Sequence, residues 1–187
     1  MNRDRVGPWR NSVVWLLPLA IFVGIQFGAG LYEKLVVVPQ WSSLPGDQVV
    51  AAIENSGMKA AGRVFWPFVS PMVGVLAIAN LVAAWRSANA NRSWWLAGSA
   101  FMIGYAVFSY SFFVPQMLML QASGASWSAT EIESLVSWWT GLNYLRMAIG
   151  AVGWLCVLRA LSMSGTAKPP VRTADAPTSS ANTPAGL

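Results

Sequence analysis

Four stretches of this chain run long enough with almost no charge to cross a lipid bilayer, and nothing else limits the fold as severely. They cover residues 13–38, 64–85, 94–120 and 138–158. A hydrocarbon core takes roughly 20 apolar residues of helix, and inside it only helices and closed barrels satisfy their own backbone. The expected fold is therefore all-α: a polytopic four-transmembrane-helix bundle in the cell membrane. Charged residues make up 10% of the chain, against about a quarter in soluble domains. The spans consume residues 1–163 as one membrane domain. Residues 164–187, rich in Pro, Ser, Thr and Ala without apolar periodicity, read as a disordered cytoplasmic tail. The first run continues through Val36, Val37 and Val38, past the usual length of a signal core, and is read as a retained span.

The bases are distributed unevenly. Arg3, Arg5, Arg10, Arg86, Arg92, Arg159, Lys168 and Arg172 fall on one side of the expected membrane; only Lys34, Lys59 and Arg63 fall on the other. The positive-inside rule then places both termini in the cytoplasm. The basic balance is explained by topology, so no nucleic-acid partner follows from it. Trp9, Trp15, Trp85, Trp94 and Trp95 would form an inner aromatic belt, and Trp41, Trp66, Trp127, Trp138 and Trp139 an outer one.

Histidine is absent and Cys156 is the single cysteine. These facts exclude bis-His haem ligation, imidazole zinc sites, His general bases and a two-cysteine redox relay. No metal or cofactor is expected. Outside the spans, Val49, Val50 and Ile53 share a helical face ahead of Gly57, the pattern of a short amphipathic surface helix with a C′ glycine. Ser128-Ala129-Thr130-Glu131 fits a capping box, so the fourth helix should begin near Ala129.

Val38-Pro39-Gln40 recurs as Val114-Pro115-Gln116, 76 positions on, and the same shift aligns Gly28 with Gly104 and Gly74 with Gly150. Two readings stand. Either two helix-ending prolines arose separately, or a helical hairpin was duplicated, as in some transporters. The transporter reading would call for a homo-oligomer.

Ionisable side chains at membrane depth point to function, with a partner to be named. Arg146 lies eight residues from Trp138, about 12 Å into the span. Trp139, Asn143, Gly150 and Gly153 share its face, while Gln26, Gly30, Glu33 and Val37 share a face of the first span. Glu33 and Arg146 are expected to pair inside the bundle, with Tyr105 and Ser109 completing a polar pocket. Lys34 is expected to reach the headgroups. Asn80, Pro67 and Pro71 read as packing and kink features. Glu33, Asn143 and Arg146 are the candidate reactive residues; Gln26, Tyr105, Ser109 and Trp139 are the candidate binding residues. An accessory subunit whose Glu33–Arg146 pair only locks helix register is the alternative.

The combination of "GAGLYEKLVVVPQW", "FWPFVSP", "SFFVPQ" and "WTGLNYLR", the last giving Trp139, Asn143 and Arg146 as W-x3-N-x2-R, resembles the anthrone-oxygenase-like family of small four-helix membrane proteins. The resemblance covers about residues 12 to 160. It implies binding of a hydrophobic small molecule, with cofactor-independent oxidation of anthrones to anthraquinones in the fungal members. Asn143 and Arg146 would then stabilise an enolate or peroxide anion, as preorganised donors do.

Overall fold

The computed structural model describes residues 12–164. The expectations for Arg3, Arg5, Trp9, Arg10, Lys168, Arg172 and the tail lie outside the described residues. α1 (Ser12–Tyr32) continues through a π turn (Glu33–Val37) into α2 (Pro39–Ser42). α3 (Gly46–Asn55) and α4 (Met58–Trp85) follow. α5 (Arg92–Phe108) continues through a second π turn (Ser109–Phe113) into α6 (Val114–Ser123), and α7 (Ala129–Ser164) closes the bundle. Four continuous helical rods, Ser12–Ser42, Met58–Trp85, Arg92–Ser126 and Ala129–Ser164, are long and apolar enough to cross a membrane. The chain is a multi-pass membrane protein. α1 and α5 each pack against both α4 and α7, so sequential helices are neighbours around the bundle. Ser12 Oγ and Ser164 Oγ lie 2.8 Å apart, and Asn91 Nδ2 donates to Ala160 O at 2.9 Å, joining the two chain ends of the bundle at one end.

Neither repeated proline ends its helix, contrary to expectation. Proline has no N–H and clashes with the carbonyl four residues back. Here a single wider turn absorbs the conflict. Val38 N–H donates to Glu33 O, five residues back, at 2.7 Å, and Val114 N–H does the same to Ser109 O. Helix then resumes through Pro39 and Pro115. Such π turns reset which side chains face a neighbour and occur often at functional sites.

The core divides in two. Leu16, Leu19, Val23, Val73, Ala77, Met102, Tyr105 and Val157 fill the half holding the chain ends. Val38, Trp41, Val49, Ile53, Phe113, Val136 and Trp139 fill the other half. α5 and α7 approach closely because Gly98 has no side chain: a Cβ there would meet Val157 Cγ2 at 2.7 Å and Val157 N at 2.9 Å. Asn80 is fully buried, donating to Trp15 O and Leu76 O and accepting from Trp95 Nε1 at 2.7 Å. Its packing role matches the expectation. Trp41, Trp95 and Trp139 are core residues and not belt residues, since each indole finds an apolar niche between helices. Trp85, Trp94 and Trp138 are exposed as a belt requires.

The connections follow local chemistry. Gly57, at φ +71°, ends α3, a conformation that costs glycine little. Val49 and Ile53 bury against α7, so α3 lies on the bundle, and Gly46 N–H donates to Glu133 Oε1 at 3.0 Å to pin its start. The capping box forms, with Glu131 N–H donating to Ser128 Oγ at 3.3 Å and Ser128 N–H to Glu131 Oε2 at 2.8 Å.

Candidate functional site

The half of the bundle capped by α3 contains a cavity of about 490 Å³. Its position follows from the two π turns and the prolines of α4. α4 packs along α5 but not along α6, so the helices part beyond Phe108. Pro67 and Pro71 line the α4 side of the opening. Tyr110, Val114 and Leu118 line the cavity and are also exposed on the flank of the bundle. In a bilayer that flank meets hydrocarbon, so the cavity has a lateral mouth.

Six of the seven candidate residues reach it: Gln26, Glu33, Tyr105, Ser109, Trp139 and Arg146. Asn143, 2% exposed, stands behind the wall and accepts from Arg146 Nε at 3.0 Å through Oδ1. It orients the guanidinium, whose centre lies 4.5 Å from the Phe113 ring centroid and 5.6 Å from that of Tyr105. Stacking on ring faces suits a planar, weakly hydrated cation. A Cβ on Gly150 would meet the Tyr105 ring at 3.1 Å, so that glycine makes room for the phenol.

Glu33 and Arg146 share the cavity without touching, which corrects the expected ion pair. Glu33 Oε1 instead accepts from Trp66 Nε1 at 2.9 Å. The π turn aims Glu33 toward α4, while Arg146 is held toward Phe113 by Asn143. Lys34 is also corrected. It is buried, donates to Thr140 O at 3.0 Å and lies 4.1 Å from the Tyr144 ring centroid. The widened turn lets adjacent residues face two neighbours at once, Glu33 on α4 and Lys34 on α7.

Gln26 closes the inner end. It is 5% exposed; Nε2 donates to Ser70 Oγ at 3.2 Å, and Oε1 is buried without a partner. An unpaired buried acceptor is costly, so this oxygen is suited to a ligand donor. Ser109 Oγ is used up by the Tyr105 carbonyl at 2.8 Å, making it a wall residue more than a free donor. Trp139 Nε1 donates to Phe113 O at 3.3 Å, and its ring stands 5.8 Å from Trp41.

Trp66, Ser70, Lys59 and Arg63 line the cavity as well and did not emerge from the sequence as site residues. Trp66 read as an interfacial anchor. A signal that could have found part of the group was the proline pair at 67 and 71, which brackets Ser70 and directly follows Trp66. Among the described residues no three His, Cys, Asp or Glu side chains gather as a metal site.

The chain thus builds a largely apolar chamber with a few convergent polar groups inside a four-helix membrane bundle, and no family model, curated protein or solved structure matches it.

Proposed function

We propose that this protein binds a hydrophobic small molecule that enters from the lipid, at a polar site in the outer half of the bundle. The supporting observation is the cavity of about 490 Å³ in which Gln26, Glu33, Tyr105 and Arg146 converge beside a mouth flanked by Val114 and Leu118. Pockets of this size, mostly apolar with few convergent polar groups, are the usual form of small-molecule sites. The cell membrane, with both chain termini cytoplasmic, is the setting the charge distribution favours. The experiment is mass spectrometry of small molecules retained by the purified protein. A retained hydrophobic compound lost in Arg146→Met at unchanged abundance supports the reading. An empty wild-type protein that also takes up no hydrophobic probe sinks it and favours an accessory subunit.

A second reading adds oxidation, supported by the resemblance of the W-x3-N-x2-R segment and by the cavity-facing guanidinium. The methylene of an anthrone, conjugated to the ketone through the fused aromatic rings, would give up a proton to Glu33, Arg146 would hold the resulting anthrolate oxygen, and dioxygen would serve as oxidant. In the balanced reaction one methylene and one dioxygen give one ketone carbonyl and one water: both C–H bonds break, one oxygen atom ends on carbon, and the other leaves as water with the two hydrogens. Oxygen uptake matched by ketone formation with an anthrone, lost in Glu33→Gln, tests it.

A further inference from the structure

The cavity has a feature that the binding of a neutral hydrophobic molecule leaves unused. Lys59 and Arg63, one turn apart on α4, both line it at the end covered by α3. Arg63 is exposed and has no hydrogen-bond or ion-pair partner among the described residues. Lys59 is half-buried and meets Glu54 Oε1 at 2.8 Å. Of the other bases at this end of the bundle, Lys34 is buried against Thr140 and Tyr144, and Arg146 lines the same cavity, held by Asn143. Every basic side chain at this end that reaches an open surface therefore stands at the cavity. The surrounding segments carry Asp47, Glu54, Glu131 and Glu133 and no further base. Two bases at one end of the cavity, within an acidic rim, focus anions onto one spot.

The path from that basic end toward the lateral mouth is apolar. From Lys59 to Pro71, α4 runs about 18 Å along the chamber at 1.5 Å per residue. Pro67 on one side and Val114 and Leu118 on the other border the gap toward lipid. Resting on the reading that the cavity binds a hydrophobic ligand, we propose that this ligand is an amphiphile with an acidic head, a phosphate or a carboxylate. The head sits between Lys59 and Arg63, and the hydrocarbon lies along α4 in the gap. Charge-assisted hydrogen bonds to an anion are shorter and stronger than neutral ones, and the lateral gap spares the chain from leaving hydrocarbon.

The test is native mass spectrometry of the full chain in a nonionic detergent, with two matched probe pairs: oleate against oleyl alcohol, and phosphatidylglycerol against phosphatidylcholine with the same acyl chains. Wild-type protein is expected to hold an acidic member about tenfold more tightly than its neutral partner. The double variant K59Q/R63Q should reduce that preference, read as the ratio of acidic to neutral binding within each variant, to about twofold, and R63Q alone should fall between. A preference confined to oleate assigns the head to a free carboxylate, and one confined to phosphatidylglycerol assigns it to a lipid phosphate; both support the proposal. Equal binding of acidic and neutral probes, or a preference that survives K59Q/R63Q, overturns the head-group assignment and leaves cavity binding standing. If none of the probes binds, both fall.

Discussion

Glu33 and Arg146 face one cavity and do not touch: the carboxylate accepts from Trp66 Nε1 at 2.9 Å, and the guanidinium is held by Asn143 Oδ1 at 3.0 Å. Two opposite charges in one chamber, each braced by a neighbour, leave a space between them that a ligand can bridge. The separation has a thermodynamic consequence. In a double-mutant cycle of Glu33→Gln and Arg146→Met, the coupling should fall at the low end of the range for groups that share a cavity without a hydrogen bond, about 0.5–1 kcal/mol. A direct buried pair would instead lose several kcal/mol in either single variant. Thermal unfolding of the four proteins in detergent measures it, and rescue of the singles by the double change would contradict the geometry.

The π turns should depend on their prolines. In Pro39→Ala the restored N–H can donate within an ordinary α turn, which would rotate Glu33 away from Trp66. Ligand retention should fall about tenfold, a loss of roughly 1.4 kcal/mol, with abundance unchanged. Pro115→Ala should act likewise through Ser109. Retention identical to wild type in both would show that the widened turns have other causes.

Asn80 holds three elements together at 0% exposure. Asn80→Leu leaves Trp95 Nε1, which donates to it at 2.7 Å, buried without an acceptor. Each such orphaned group costs about 1–3 kcal/mol, so unfolding should shift down by that amount while ligand affinity is spared.

Glycine substitutions should divide by position. Gly98→Ala drives a methyl into Val157, 2.7 Å away at Cγ2 with the backbone N at 2.9 Å, and overpacking of this kind costs about 1–3 kcal/mol. Gly104→Ala meets nothing within 4 Å and should stabilise by about 0.5–1 kcal/mol through helix propensity. Denaturation curves of the two variants check the contrast.

The Glu54–Lys59 pair supplies a pH signature on the open surface. The hydrogen bond and charge of Lys59 hold the Glu54 carboxyl below its ordinary value of 4.5. Because the folded value is depressed, the interaction is present above the ordinary value and is lost as pH falls through the lower folded one. Carboxyl NMR should place the Glu54 midpoint below 4.5 in wild type and return it toward that value in Lys59→Gln.

Much of the architecture was legible from local pattern. The four spans follow from apolar runs that only hydrocarbon accommodates, Gly57 from the left-handed turn ending α3, and the start of α7 from the Ser128–Glu131 box. The shared face of Trp139, Asn143, Arg146, Gly150 and Gly153 follows from helical period alone, and Gln26, Glu33, Tyr105 and Arg146 do line one chamber. Apart from that shared chamber, each of these depends on residues within a few turns of one another.

What only the tertiary structure decided involves partners far apart in the chain. Pro39 could end a helix or widen it, and the outcome turned on α4 and α7 receiving Glu33 and Lys34 on opposite sides. Tryptophan suits an interface and a core equally, so Trp41, Trp95 and Trp139 were settled by the niches other helices offered. The cavity exists because α4 packs on α5 and parts from α6, a relation between two helices that neither encodes alone. Periodicity reports which face of a helix is buried; only packing reports what that face meets.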